Sequence, residues 1–129
     1  MATFSLLLTQ SPFSGASHIL AQDFARSLLA QGHKLQRVFF YQDAVFAALS
    51  TQNPAQGQSA VSQQWQSLAT EYGFPLQVCI ANALRRGVTD NAEQQRYNLP
   101  ASTLAAGFEL AGLGEMAEAT LDSDRIIDF

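Results

Sequence analysis

The sequence predicts an α/β protein of flavodoxin-like outline, a parallel sheet of about five strands with helices on both faces. Two observations carry that prediction. Short apolar runs alternate with segments of helical period along the chain, and glycines, prolines or serine-rich stretches separate them. The resulting order of strand, helix, strand, helix, strand is that of right-handed β-α-β crossovers, which lay strands parallel and pack helices against the sheet.

Residues 4–9 are apolar and run into a Ser/Pro/Gly loop at 11–17, so they read as a buried strand. A helix starts near Ser17, with Leu20, Phe24 and Leu28 as its expected buried stripe and Gly32 as its stop. Residues 35–41, containing Val38-Phe-Phe-Tyr41, form the second strand. Residues 51–59 are Gln, Asn, Pro, Gly and Ser and read as a loop within the domain. The next helix spans about 60–72 with Val61, Trp65, Leu68 and Tyr72 on one face; Gly73 ends it and Pro75 blocks continuation. Residues 76–81 are the third strand, with Val78 and Ile80 alternating against Gln77 and Cys79. Asp90 and Glu93 give a capping-box-like start to a short helix that closes near Asn98-Leu-Pro100. A fourth strand at 108–111, a helix at 113–121 and a last strand at 125–129 complete a single domain, 1–129.

Hydrophobic residues make up 47% of the chain and charged residues only 14%, which predicts that part of the surface is covered by other subunits. The net charge is −4, and the only adjacent basic pair is Arg85-Arg86. Direct nucleic-acid binding, which needs a basic patch to displace counterions, is not expected. The acidic C-terminal stretch with Glu109, Glu115, Glu118, Asp122, Asp124 and Asp128 reads as a solvated helix face. No run approaches the roughly 18 apolar residues that cross a bilayer, and the N-terminus lacks the basic start of a signal peptide. A single cysteine cannot form an internal disulfide, and the expected compartment is the cytoplasm.

Chemistry in such sheets sits beyond the carboxyl ends of the strands, which gathers residues 10–17, 41–45 and 79–86 on one rim. Cys79 lies there. Asn82 is placed to cap a turn just after it, and Arg85 and Arg86 follow within two turns, an environment that favours thiolate. The residues alone favour reading Cys79 as a small apolar core residue, with the reactive thiolate as the other reading. His18 falls in the first turn of a helix, either as a surface residue or as a proton-exchanging group at the rim, and His33 sits in the turn that closes that helix. Neither has a second ligand at metal-binding spacing. The loop from Ser11 to Ser17 offers hydroxyls before a helix, but lacks the glycine patterns of phosphate loops, and turn formation explains its serines. Arg85 and Arg86 read either as neutralising an anionic substrate or as an exposed ion-pairing face.

Several stretches together resemble the TusD-type sulfur carriers of the DsrE family. They are Gly32-His33 with Val38-Phe-Phe-Tyr41, then Val78-Cys-Ile-Ala-Asn-Ala-Leu-Arg-Arg-Gly-Val88, then Gly107-Phe-Glu-Leu-Ala-Gly-Leu-Gly114, and Ala117-Glu-Ala119 through Asp124-Arg125. The segment around Cys79 is the most specific. The resemblance implies a sulfurtransferase that carries a persulfide on Cys79, without metal or organic cofactor. It further implies TusB-like and TusC-like partners in a heterohexamer, a TusA-like sulfur donor, a TusE-like acceptor, and delivery of the sulfur to tRNA as 2-thiouridine at the wobble position. The first loop, Thr9-Gln-Ser-Pro-Phe-Ser-Gly15, and Asp43-Ala44 depart from the expected pattern, so only Cys79 carries over as a site residue. Two other functions share the fold: a DsrE subunit of a dissimilatory sulfur-oxidation complex, and a non-catalytic flavodoxin-like binding module.

Overall fold

The computed structural model describes all 129 residues and contains one five-stranded sheet in the order β4-β3-β2-β1-β5. The strands are β1 (Thr3–Leu8), β2 (Lys34–Phe40), β3 (Leu76–Cys79), β4 (Phe108–Ala111) and β5 (Arg125–Asp128), and every neighbouring pair is parallel. The helices are α1 (Ser17–Ala30), α2 (Val61–Tyr72), α3 (Ile80–Arg85), α4 (Asn91–Arg96) and α5 (Leu113–Asp122). From β1 the chain steps through β2 and β3 to β4 in one direction, then returns past them to set β5 on the free side of β1. Because crossovers are right-handed, this reversal sends α5 to the face opposite α1 and α2.

The two faces are unequally covered. On one, Leu6, Leu8, Val38, Phe40, Leu76 and Val78 pack against Ala21, Ala25 and Leu28 of α1 and Trp65 and Leu68 of α2. The Trp65 indole stands edge-on to Phe40, at 5.3 Å between centroids and 86° between planes. On the other face a small cluster of Phe39, Cys79 and Ala111 is joined by Leu7, Tyr41 and Met116 of α5. Ala119 is the only fully buried residue of α5, while Leu113 and Leu121 are 57% and 85% exposed on it.

Several sequence expectations shift. In α1 the stripe is Ala21, Ala25 and Leu28, with His18 and Gln22; Leu20 is 57% exposed. The helix presents its small residues to the sheet, which lets its backbone lie close, and the larger Leu20 falls off that face. Ile80 opens α3 instead of extending β3, because the backbone turns at Cys79. A tight 3₁₀ segment, Gln42–Ala48, follows β2 and buries Ala44, Val45, Ala47 and Ala48. A bulge also interrupts the β1–β2 ladder: Phe4 pairs with Leu35 but Ser5 with Arg37, leaving Gln36 as the extra residue. That single insertion lets Leu35 and Val38 both enter the larger core, although strict alternation would separate them.

Candidate active site

The site forms where β3 stops. Cys79, 1% exposed, is the last residue of β3, in register with Ala111 of β4, and α3 begins at the next residue. Asn82 lies in the first turn of α3, and its Nδ2 donates to Cys79 Sγ at 2.9 Å. The i to i+3 spacing on a helix brings the amide back over the sulfur. Arg86 donates from Nη1 to the Asn82 carbonyl at 3.2 Å and to Asn82 Oδ1 at 3.3 Å, and from Nε to Asp43 Oδ1 at 2.8 Å. Asp43 comes from the 3₁₀ segment after β2. Residues 41–45 and 79–86 thus meet on the rim as expected.

The details differ from the expectation. Asn82 caps nothing; it sits inside α3 and addresses the sulfur with its side chain. Arg86 reaches the sulfur only through Asn82, and Arg85 is exposed and forms no ion pair with an acidic residue. Asp43 lay within the expected rim segment 41–45, but the sequence assigned it no role there; its ion pair with Arg86 is what the structure adds.

His18 is a core residue and not a surface one. It is 4% exposed, and Trp65 Nε1 lies 3.1 Å from its Nδ1. An indole N–H only donates, so Nδ1 accepts and the proton resides on Nε2, which donates to the Gln10 carbonyl at 2.9 Å. Burial lowers the His18 pKa, opposed by that carbonyl. His18 therefore pins the loop after β1 to α2. His33 closes α1 through its backbone N–H to Leu28 and accepts from the Ala2 N–H with Nδ1 at 3.0 Å. In the first loop, Ser11 Oγ accepts from the Phe13 N–H at 3.1 Å, a turn-forming role.

Three of the C-terminal acidic residues are not simply solvated: Asp124 Oδ2 accepts from the Thr3 N–H at 2.8 Å, and Glu109 and Glu115 belong to a network. Gln77 Nε2 donates to both Glu109 at 3.0 Å and Glu115 at 3.1 Å, while Arg37 Nη1 donates to Gln77 Oε1 at 3.2 Å and to the Glu115 carbonyl at 2.8 Å. This network fastens the start of α5 to the sheet, two residues along β3 from Cys79. No simple pattern marks it in the sequence, since its members come from four separate elements.

The family model described as the DsrE/DsrF-like family matches residues 3–129. The chain belongs to this family. Among curated relatives of this DsrE-family chain, Sulfurtransferase TusD of Erwinia tasmaniensis is 45% identical over 127 residues, covering 98% of each chain. Sulfurtransferase TusD of Serratia proteamaculans is 43% identical over 129 residues, 100% of each, and that of Cronobacter sakazakii is 42% identical over 126 residues, 98% of each. Among solved structures, the ychN protein from E. coli superposes with a TM-score of 0.78 at 25% identity, covering 100% of both chains.

Proposed function

We propose that this DsrE-family chain is a TusD-type sulfurtransferase subunit that accepts persulfide sulfur on Cys79 and passes it on for 2-thiolation of the tRNA wobble uridine. The observation that carries this reading is near-full-length similarity, at 42–45% identity, to proteins named Sulfurtransferase TusD. The only cysteine of the chain, at the end of β3 with an amide donor on its sulfur, supports it. In the loading step the Cys79 thiolate attacks the outer sulfur of a donor persulfide. A bond forms between that sulfur and Sγ, and the donor departs as a thiolate.

On this reading residues 1–129 act as one carrier domain in the cytoplasm, within a heterohexamer with TusB-like and TusC-like subunits. A TusA-like protein is the donor and a TusE-like protein the acceptor. The low charged fraction, 14%, and the exposed Leu113 and Leu121 suit a surface that partner subunits cover. The acidic balance suits a carrier that leaves tRNA to a later protein.

Intact mass after incubation with a persulfidated TusA-like donor tests the reading. Wild-type chain, assembled with its partners, gains one or more sulfur atoms that reductant removes. Cys79→Ser folds with an unchanged melting profile and gains none. Normal labelling of Cys79→Ser would refute the assignment of Cys79.

A further inference from the structure

The contacts around Cys79 form a directed chain that runs from the surface to the sulfur. Arg86 has only donors to offer, so the Asn82 oxygen must face it, and the Asn82 NH₂ is thereby turned toward Sγ. Arg86 is itself fixed by the Asp43 carboxylate at 2.8 Å. The outer end of this chain is wet, with the Asp43 side chain 57% exposed, and the inner end is dry, with Asn82 and Cys79 at 8% and 1%.

We propose that Asn82 is a catalytic residue of the discharge step, stabilising the Cys79 thiolate as it departs, and that Arg86 and Asp43 are positioning residues that hold its amide in the donating orientation. The proposal rests on the persulfide-carrier reading. In discharge, a nucleophile attacks the outer sulfur of the Cys79 persulfide. A bond forms between the nucleophile and that sulfur, the bond between it and Sγ breaks, and the electron pair leaves on Sγ. The sulfur is transferred without any external oxidant or reductant. In the persulfide, Sγ is a neutral divalent sulfur and a weak acceptor; as the bond breaks it becomes an anion, and the Asn82 N–H meets that charge in a site that excludes water. The contact is therefore stronger in the transition state than in the loaded ground state, which is the condition for accelerating the step. Loading has no such gain, because there the thiolate starts with the hydrogen bond and gives it up.

Inorganic polysulfide as donor and cyanide as acceptor test this in the assembled complex, because both are small and the thiocyanate released reports the same bond cleavage. Asn82→Leu is expected to take up sulfur, by intact mass, yet release thiocyanate in a single turnover roughly tenfold more slowly than wild type, the usual worth of a hydrogen bond to a charged group. Asp43→Asn, at the exposed end, is expected to slow release by a smaller factor, Asp43→Glu to restore it, and Asp43→Asn to add nothing in the Asn82→Leu background, since it acts only through Asn82. Wild-type release from Asn82→Leu overturns the catalytic role. Full additivity of the two substitutions overturns the positioning role. Should Asn82→Leu fail to fold, wild-type release from Asp43→Asn overturns the proposal instead. Failure of wild type itself to take up sulfur refutes the carrier reading, a result distinct from normal loading with unaltered release in the variants.

Discussion

A buried imidazole with one nitrogen accepting and the other donating can hold only its neutral form without loss. Protonating His18 would set a second N–H against the Trp65 N–H, 3.1 Å away. Its folded-state pKa is lowered, so between that value and the unfolded value of about 6.5 the unfolded chain binds more protons. The stabilisation is complete above about pH 6.5 and is lost as the pH falls below it. Melting temperature measured from pH 7.5 down to 5 should therefore fall more steeply in wild type than in His18→Gln, which keeps a donor and an acceptor but does not titrate. Parallel curves would contradict this account. The position of Cys79 at the strand-end rim was legible in the sequence, because the βαβ pattern delivers it there. Asn82 was legible as a neighbour but not as a partner, since whether an amide caps a turn or reaches back to i−3 depends on where the strand stops, and that stop lies one residue after Val78.

Boundaries and phases are where the elements diverged from expectation. The size of Leu20 drew the expected stripe of α1 off the face that Ala21 and Ala25 occupy, because an apolar count rewards large side chains while a close helix–sheet contact rewards small ones. The bulge at Gln36 was likewise invisible, since an apolar run without alternation is compatible with either register. Gly73, by contrast, was readable as the stop of α2, and it adopts φ 79° there, with its N–H bonded to the Ala69 carbonyl. A Cβ at Gly73 would meet nothing within 4 Å, so the cost of Gly73→Ala is backbone strain alone. It should amount to about 1–2 kcal/mol and lower the melting temperature by several degrees, with sulfur uptake unchanged. An unchanged melting temperature would show that the left-handed cap is not what ends the helix.

The whole molecule is a sheet with one thick and one thin cover. The sequence predicted the parallel sheet and its strand-end rim, since those follow from alternation alone, but not the strand order, which depends on β5 choosing the free side of β1. That choice is what leaves Cys79 on the thin side, beneath Met116 of an α5 that buries little. The cysteine of the isolated chain should accordingly react with an aromatic disulfide far more slowly in buffer than in urea, where rates should match those of an unstructured peptide. Equal rates would mean that α5 does not cover the sulfur. The same cover has a second consequence. A thiolate that waits in solvent between deliveries is open to peroxide, which takes it to sulfenic acid and then irreversibly to sulfinic and sulfonic acids. With Cys79 packed among Phe39, Ala111 and Met116, the carrier thiol proposed at this position would idle in a place that oxidants do not readily reach, and Met116, packed on the same cluster, is a side chain whose own oxidation can be repaired.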